Sequence, residues 1–143
     1  MNYFNNIFSF IFVLNLVLAN AWPFPTYFVY IHDALPEHSN SLTLRCQSKD
    51  DDLGYKVINA NEEYSFYFGL QIFDRTLFFC HFYWNNKDLT FDVFNKHIIK
   101  HCKGTDGDIG RAPDMYECHW KVQEDGFYFA SSRTDEYVKK YDW

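Results

Sequence analysis

Apolar and aromatic side chains fall at alternate positions in four separate stretches of this chain, and three of its four cysteines sit in the same phase. Tyr64, Phe66 and Phe68 form one comb; Phe78, Cys80, Phe82 and Trp84 form a second; Tyr116, Cys118, Trp120 and Val122 form a third. Leu42, Leu44 and Cys46 make a shorter fourth. A period of two marks a strand with one buried face, whereas a helix would space such residues by three and four. Cys46, Cys80 and Cys118 therefore point between sheets, where a structural disulfide belongs.

Further strand signals at Tyr27 to His32, Gly54 to Ile58, Leu89 to Phe94 and Phe127 to Ser131 bring the expectation to about eight short strands. Polar, turn-rich segments separate them: Asp33 to Asn40, Ser48 to Asp52, Asn59 to Glu62, Asn85 to Asp88 and the hairpin turn Glu124 Asp125 Gly126. The fold class this predicts is all-β, a single-domain antiparallel sandwich. Asp92 to Cys102 has room for one short helical turn. The longest interruption, Asn95 to Asp114, contains Cys102, Gly104, Gly107, Gly110 and Pro113, and reads as a binding loop or a connector pinned by Cys102. From Arg133 onward the chain is polar with scattered aromatics, which predicts a frayed tail over residues 133–143.

Thirteen mostly apolar residues, Ile7 to Ala19, run into the triplet Ala19 Asn20 Ala21. That pattern reads as a signal peptide over residues 1–21, cut between Ala21 and Trp22, although no Lys or Arg precedes it. A span across hydrocarbon needs about 20 residues, so no stable membrane insertion is expected; a retained anchor is the competing reading. The sandwich domain is then assigned to residues 22–132.

All 13 basic and 19 acidic residues lie after residue 21, so the net charge of −6 belongs to the mature part. An acidic domain without a basic stripe is a poor partner for nucleic acid or anionic lipid. Four cysteines behind a secretory segment, with no CxxC, favour two disulfides over metal ligation. Inward phase favours Cys46 with Cys118 and Cys80 with Cys102, but Cys80 is equally inward, and three connectivities are open. No thiol is left over to demand a covalent dimer, so a monomer is expected and a noncovalent pair stays open. There is no Asn-x-Ser/Thr sequon.

Motifs for chemistry are sparse. His97, His101 and Cys102 resemble half a zinc site without its other half. Asp50, Asp51 and Asp52 lack the spacing of a calcium loop and read as a solvated turn. His81 and His119 fall out of phase with the cysteines and are expected to face solvent. No nucleophile elbow, zinc-protease helix or phosphate loop is present, and no cofactor or metal is implied.

Cys46 Gln47 Ser48 Lys49 Asp50 Asp51 Asp52 Leu53 Gly54 is less generic. With Val29 Tyr30 Ile31 His32 Asp33 before it, and Cys80 His81 Phe82 Tyr83 Trp84, Cys118 His119 Trp120 Lys121 Val122 and Glu124 Asp125 Gly126 Phe127 Tyr128 after it, the chain resembles the plant self-incompatibility protein S1 family, also called S-protein homologues. The resemblance runs over roughly residues 27 to 131. It implies a secreted, disulfide-linked β-sandwich without catalytic residues, acting as an extracellular ligand for a cell-surface receptor through hydrophilic loops. Those loops correspond here to Glu37 and His38, Lys49 to Asp52, Asn86 and Lys87, and Lys103, Thr105, Asp106 and Asp108.

Three functions are weighed. The favoured one is a secreted recognition ligand. The alternative is an apoplastic defence or toxin-like protein acting on microbes or inhibiting their hydrolases. A hydrolase using Glu124 and Asp125 is disfavoured, because adjacent carboxylates in a tight turn do not flank a scissile bond.

Overall fold

The computed structural model describes residues 2–19, 24–70, 76–105 and 115–143. The N-terminal run forms α1 (Asn2–Ala19), with Phe4, Phe8 and Phe10 exposed. No helix among the described residues is long and apolar enough to cross a membrane. The cleavage pair Ala21 and Trp22 lies outside the described residues.

Ten strands follow among the described residues: β1 (Thr26–Asp33), β2 (Leu42–Gln47), β3 (Asp52–Ile58), β4 (Glu63–Gly69), β5 (Phe78–Trp84), β6 (Lys87–Phe94), β7 (Lys103–Gly104), β8 (Met115–Gln123), β9 (Gly126–Ala130) and β10 (Val138–Tyr141). Eight coincide with the four alternating stretches and the four further strand signals. A 3-10 turn, Ile98–His101, occupies the place allowed for one. One sheet has the order β10-β9-β8-β1-β4, with β7 beside the start of β8, and the other has β3-β2-β5-β6. Every pairing is antiparallel except β1 with β8, which runs parallel from Thr26 opposite Met115 to Asp33 opposite Val122. The long excursion through the second sheet lets β8 enter alongside β1 in the same direction.

The in-phase residues meet between the sheets. Val29, Ile31, Leu42, Leu44, Phe82, Trp120, Val122 and Phe127 are all buried there. Trp120 of β8 donates its indole N–H to the Val93 carbonyl of β6 at 2.9 Å, a hydrogen bond from one sheet to the other.

Two expectations are corrected. The disulfides join Cys46 to Cys80 and Cys102 to Cys118, with Cα separations of 4.0 and 4.7 Å, rather than Cys46 to Cys118 and Cys80 to Cys102. Inward phase is shared by neighbours within a sheet as well as by residues across the core. Cys46 and Cys80 are direct cross-strand partners on β2 and β5, whereas facing sheets stand about 10 Å apart. The C-terminal residues are also not a frayed tail. β10 pairs with β9, and Trp143 bonds the Gln123 carbonyl at 2.8 Å while its ring meets Phe127 at 4.5 Å.

Candidate functional site

Strand direction sends four connections to one end of the sandwich: residues 34–41, 59–62, 85–86 and 124–125. Their polar side chains bond to one another. Asn40 Nδ2 donates to Asn85 Oδ1 at 2.7 Å, and the Asn40 carbonyl accepts the Trp84 indole at 3.1 Å. Ser41 Oγ donates to Asn59 Oδ1 at 2.7 Å, and Glu62 Oε2 caps the Asn59 backbone N–H at 2.8 Å. Asn61 Nδ2 reaches Glu37 Oε1 at 3.4 Å, while its backbone N–H bonds the Asp33 carbonyl at 2.8 Å.

The backbone there is held in conformations that most side chains avoid. All three non-glycine residues with positive φ among the described residues, His38 (67°), Asn61 (69°) and Asn85 (55°), lie in these connections. Asparagine tolerates that region because its short amide bonds locally, but for His38 it costs about 1 to 2 kcal/mol and persists only where neighbours fix it. Gly126 closes the hairpin at φ 145°, and a Cβ there would run into the Tyr141 carbonyl oxygen. This end is a cross-bonded polar surface, rich in carboxylates (Glu37, Glu62, Glu124, Asp125) with Lys87 among them.

Beneath it lies Asp33, 0% exposed. Its Oδ1 accepts the Leu35 N–H at 2.9 Å, and its Oδ2 has no hydrogen-bond partner among the described residues. Burial pushes its carboxyl above the ordinary aspartate value, against the lowering effect of the Leu35 N–H.

Of the residues singled out from sequence, Glu37, His38, Asn86 and Lys87 gather at this end and are exposed, but Lys87 is not a loop residue: it begins β6, opposite Trp84. Lys49, Asp50 and Asp51 sit at the opposite end, in a turn closed by Ser48 N–H to the Asp51 carbonyl at 2.8 Å. That turn borders a cleft of about 540 Å³ also lined by Phe68 and Leu77. Asp52 is not a loop residue: it begins β3, and its carboxylate binds Arg45, with Nε to Oδ1 at 3.1 Å. The Arg45 hydrogen bond, with the Gly54 N–H, holds Asp52 down to about 2. Lys103 lies in β7 opposite Glu117, and Thr105 bonds Met115 through its backbone. Asp106 and Asp108 lie outside the described residues. The amides of Asn40, Asn59, Asn61 and Asn85 were missed as site residues; their signal is asparagine recurring in the turns that share one end.

The outward histidines differ from each other. His81 stands on the outer face of the second sheet, Nε2 to Asp88 Oδ2 at 2.7 Å and Nδ1 to the Tyr83 hydroxyl at 2.8 Å. His119 is not solvent-facing as expected but 2% exposed. Tyr30 stacks on it at 4.6 Å and Glu117 Oε2 meets its Nε2 at 2.9 Å, while Arg133 lies over Tyr30 and bonds Glu63 at 2.8 Å. Phase assigns a face, and the segment crossing that face decides exposure.

Among the described residues no three His, Cys, Asp or Glu side chains gather as metal ligands, and Cys102 is consumed by its disulfide. Asp125 accepts the Tyr128 hydroxyl at 2.6 Å and Lys139 Nζ at 3.4 Å; the Tyr128 bond lowers its pKa, the wrong direction for a general acid.

The comparisons with known proteins agree with this architecture. The family model for plant self-incompatibility protein S1 matches residues 28–143. S-protein homolog 2 of Arabidopsis thaliana is 38% identical over 106 residues, 73% of this chain and 62% of that protein. Self-incompatibility protein S1 of Papaver rhoeas is 29% identical over 91 residues, 64% of this chain and 59% of that protein. The matched segment thus spans about three fifths of these curated relatives. A solved structure of an SPH (self-incompatibility protein homologue) protein, from a widespread family of small, highly stable, secreted plant proteins, superposes with a TM-score of 0.53 at 11% identity. It covers 83% of this chain and 90% of its own, so the likeness is one of fold. A family match reaching from the first strand to the last residue, on a two-sheet sandwich with two disulfides, shows that this chain belongs to the plant self-incompatibility protein S1 family of secreted proteins.

Proposed function

We propose that this chain is a secreted recognition ligand of the self-incompatibility S1 type, engaging a cell-surface receptor through the polar loops at the Asn40–Asn85 end of the sandwich. The observation that carries this reading is the cross-bonding of three connections distant in sequence, with His38, Asn61 and Asn85 held left-handed. Surfaces fixed before binding lose less entropy on docking, which favours a loop set of this kind over a freely moving one. The carboxylates at this end suit a receptor face bearing Lys or Arg. No catalytic step is assigned.

Equilibrium binding of the labelled, oxidised protein to pollen and other plant cells, with unlabelled competitor, tests the reading. Saturable, competed binding is expected. Binding that stays unsaturable on every plant cell, with growth inhibition of microbes in its place, would contradict it.

A further inference from the structure

Among the described residues the two sheets end in four main edge strands, β10 and β4 in one and β3 and β6 in the other, with the two-residue β7 a further short edge beside β8. An unpaired edge invites another strand, and proteins blunt edges with charged side chains, especially lysine, and with bulges. Three of the four are blunted in that way. β3 has Lys56 and left-handed Gly54, and its register shifts between Arg45 and Gln47. β6 begins Lys87 Asp88, carries Asp92, and shifts at Phe78/Phe79. β10 is half lysine, Lys139 and Lys140, with a shift between Lys139 and Tyr141.

β4 is different. Glu63 to Gly69 pairs with β1 in unbroken register from Thr26 opposite Gly69 to His32 opposite Glu63. No described strand lies on its other side. From Tyr64 to Gly69 it has no charge and no proline, and four of those six residues are aromatic. Its one charge, Glu63, is neutralised by Arg133 at 2.8 Å. Tyr67, 72% exposed, is the most exposed large apolar side chain among the described residues outside α1.

We propose that β4 is the strand through which two copies of this chain associate, edge to edge and antiparallel, about a twofold axis at Phe66. This goes beyond the receptor reading and stands apart from it. A twofold contact must be self-complementary. Around Phe66, Ser65 of one copy faces Tyr67 of the other, Tyr64 faces Phe68, and Glu63 faces Gly69. No charge opposes its like, aromatic residues meet across the new seam, and the two sheets become continuous. β10 paired with itself would set lysine against lysine. With each copy at −6, salt is expected to strengthen the association.

Sedimentation equilibrium of the oxidised wild-type protein over a wide concentration range, with two double variants, tests the register. Ser65→Lys with Tyr67→Lys places lysines opposite each other across the axis. Ser65→Lys with Tyr67→Glu places lysine opposite glutamate at the same positions. Both changes are at exposed sites, and unchanged far-ultraviolet circular dichroism checks the fold. A dimer that the first variant weakens about tenfold or more, and that the second restores, is expected. A wild-type protein monomeric at every concentration and salt, or a dimer indifferent to both variants, would overturn the proposal.

Discussion

Asn40 and Asn85 stand 45 residues apart in sequence and share a 2.7 Å side-chain hydrogen bond that ties the β1–β2 connection to the β5–β6 turn. Asn85 also holds φ at 55°, so one residue supplies both the bond and the turn.

Asn85→Ala loses both and is expected to cost about 1 to 2 kcal/mol in denaturant unfolding. Asn85→Gly keeps the turn and loses only the bond, so it should be the milder change. Equal losses for the two would show that the left-handed turn contributes nothing.

Asp33 gives the fold a pH dependence of definite sign. Its folded pKa is raised by burial, so the unfolded chain ionises first as pH climbs through the ordinary aspartate value of 3.8. Folding stability from this group falls across the window from that value to the folded one, and is not regained above it. Asp33→Asn removes this loss, so the variant's stability relative to wild type should rise between pH 3 and pH 7, read as urea midpoints. A difference that stays flat across that range would contradict the assignment.

The disulfides close loops of different length. Cys46–Cys80 spans 34 residues and Cys102–Cys118 spans 16. Chain entropy makes the longer loop worth about 4 kcal/mol and the shorter about 3. Paired replacement by alanine should therefore cost more at Cys46 and Cys80. Peptide mapping of unreduced digests should recover Cys46 joined to Cys80.

Trp120 links the sheets through its indole N–H to Val93. Trp120→Phe fills most of the same space but leaves the buried carbonyl unpaired, a loss of about 1 to 3 kcal/mol in thermal or urea unfolding. A change within measurement error would mean the carbonyl finds another donor.

The strands and the core were legible because alternation is a local signal: Phe78, Cys80, Phe82 and Trp84 need only one buried face to declare themselves. The disulfide pairing was not, since inward phase at Cys46, Cys80 and Cys118 does not say which neighbour is nearest, and register is set by the turns between them. β10 was hidden because Val138–Tyr141 is exposed at all four positions and is held by backbone pairing with β9 and by Trp143, which alternation cannot register. The loop end was half legible. Glu37, His38, Asn86 and Lys87 stand out in the sequence as polar positions between strands, but the asparagine bonds that join the connections depend on which strand ends meet. His119 escaped because its cover, the Tyr30 ring that itself lies under Arg133, comes from elsewhere in the chain.

The most direct test of the central claim compares the two ends of the sandwich in one binding assay. Alanine at Glu37, His38, Asn86 and Lys87 together is set against alanine at Lys49, Asp50 and Asp51, each in the oxidised protein, with competition for the same cells as readout. The first set is expected to raise the competing concentration about tenfold or more while the second leaves it unchanged. The reverse order, with both variants folded, would contradict the account.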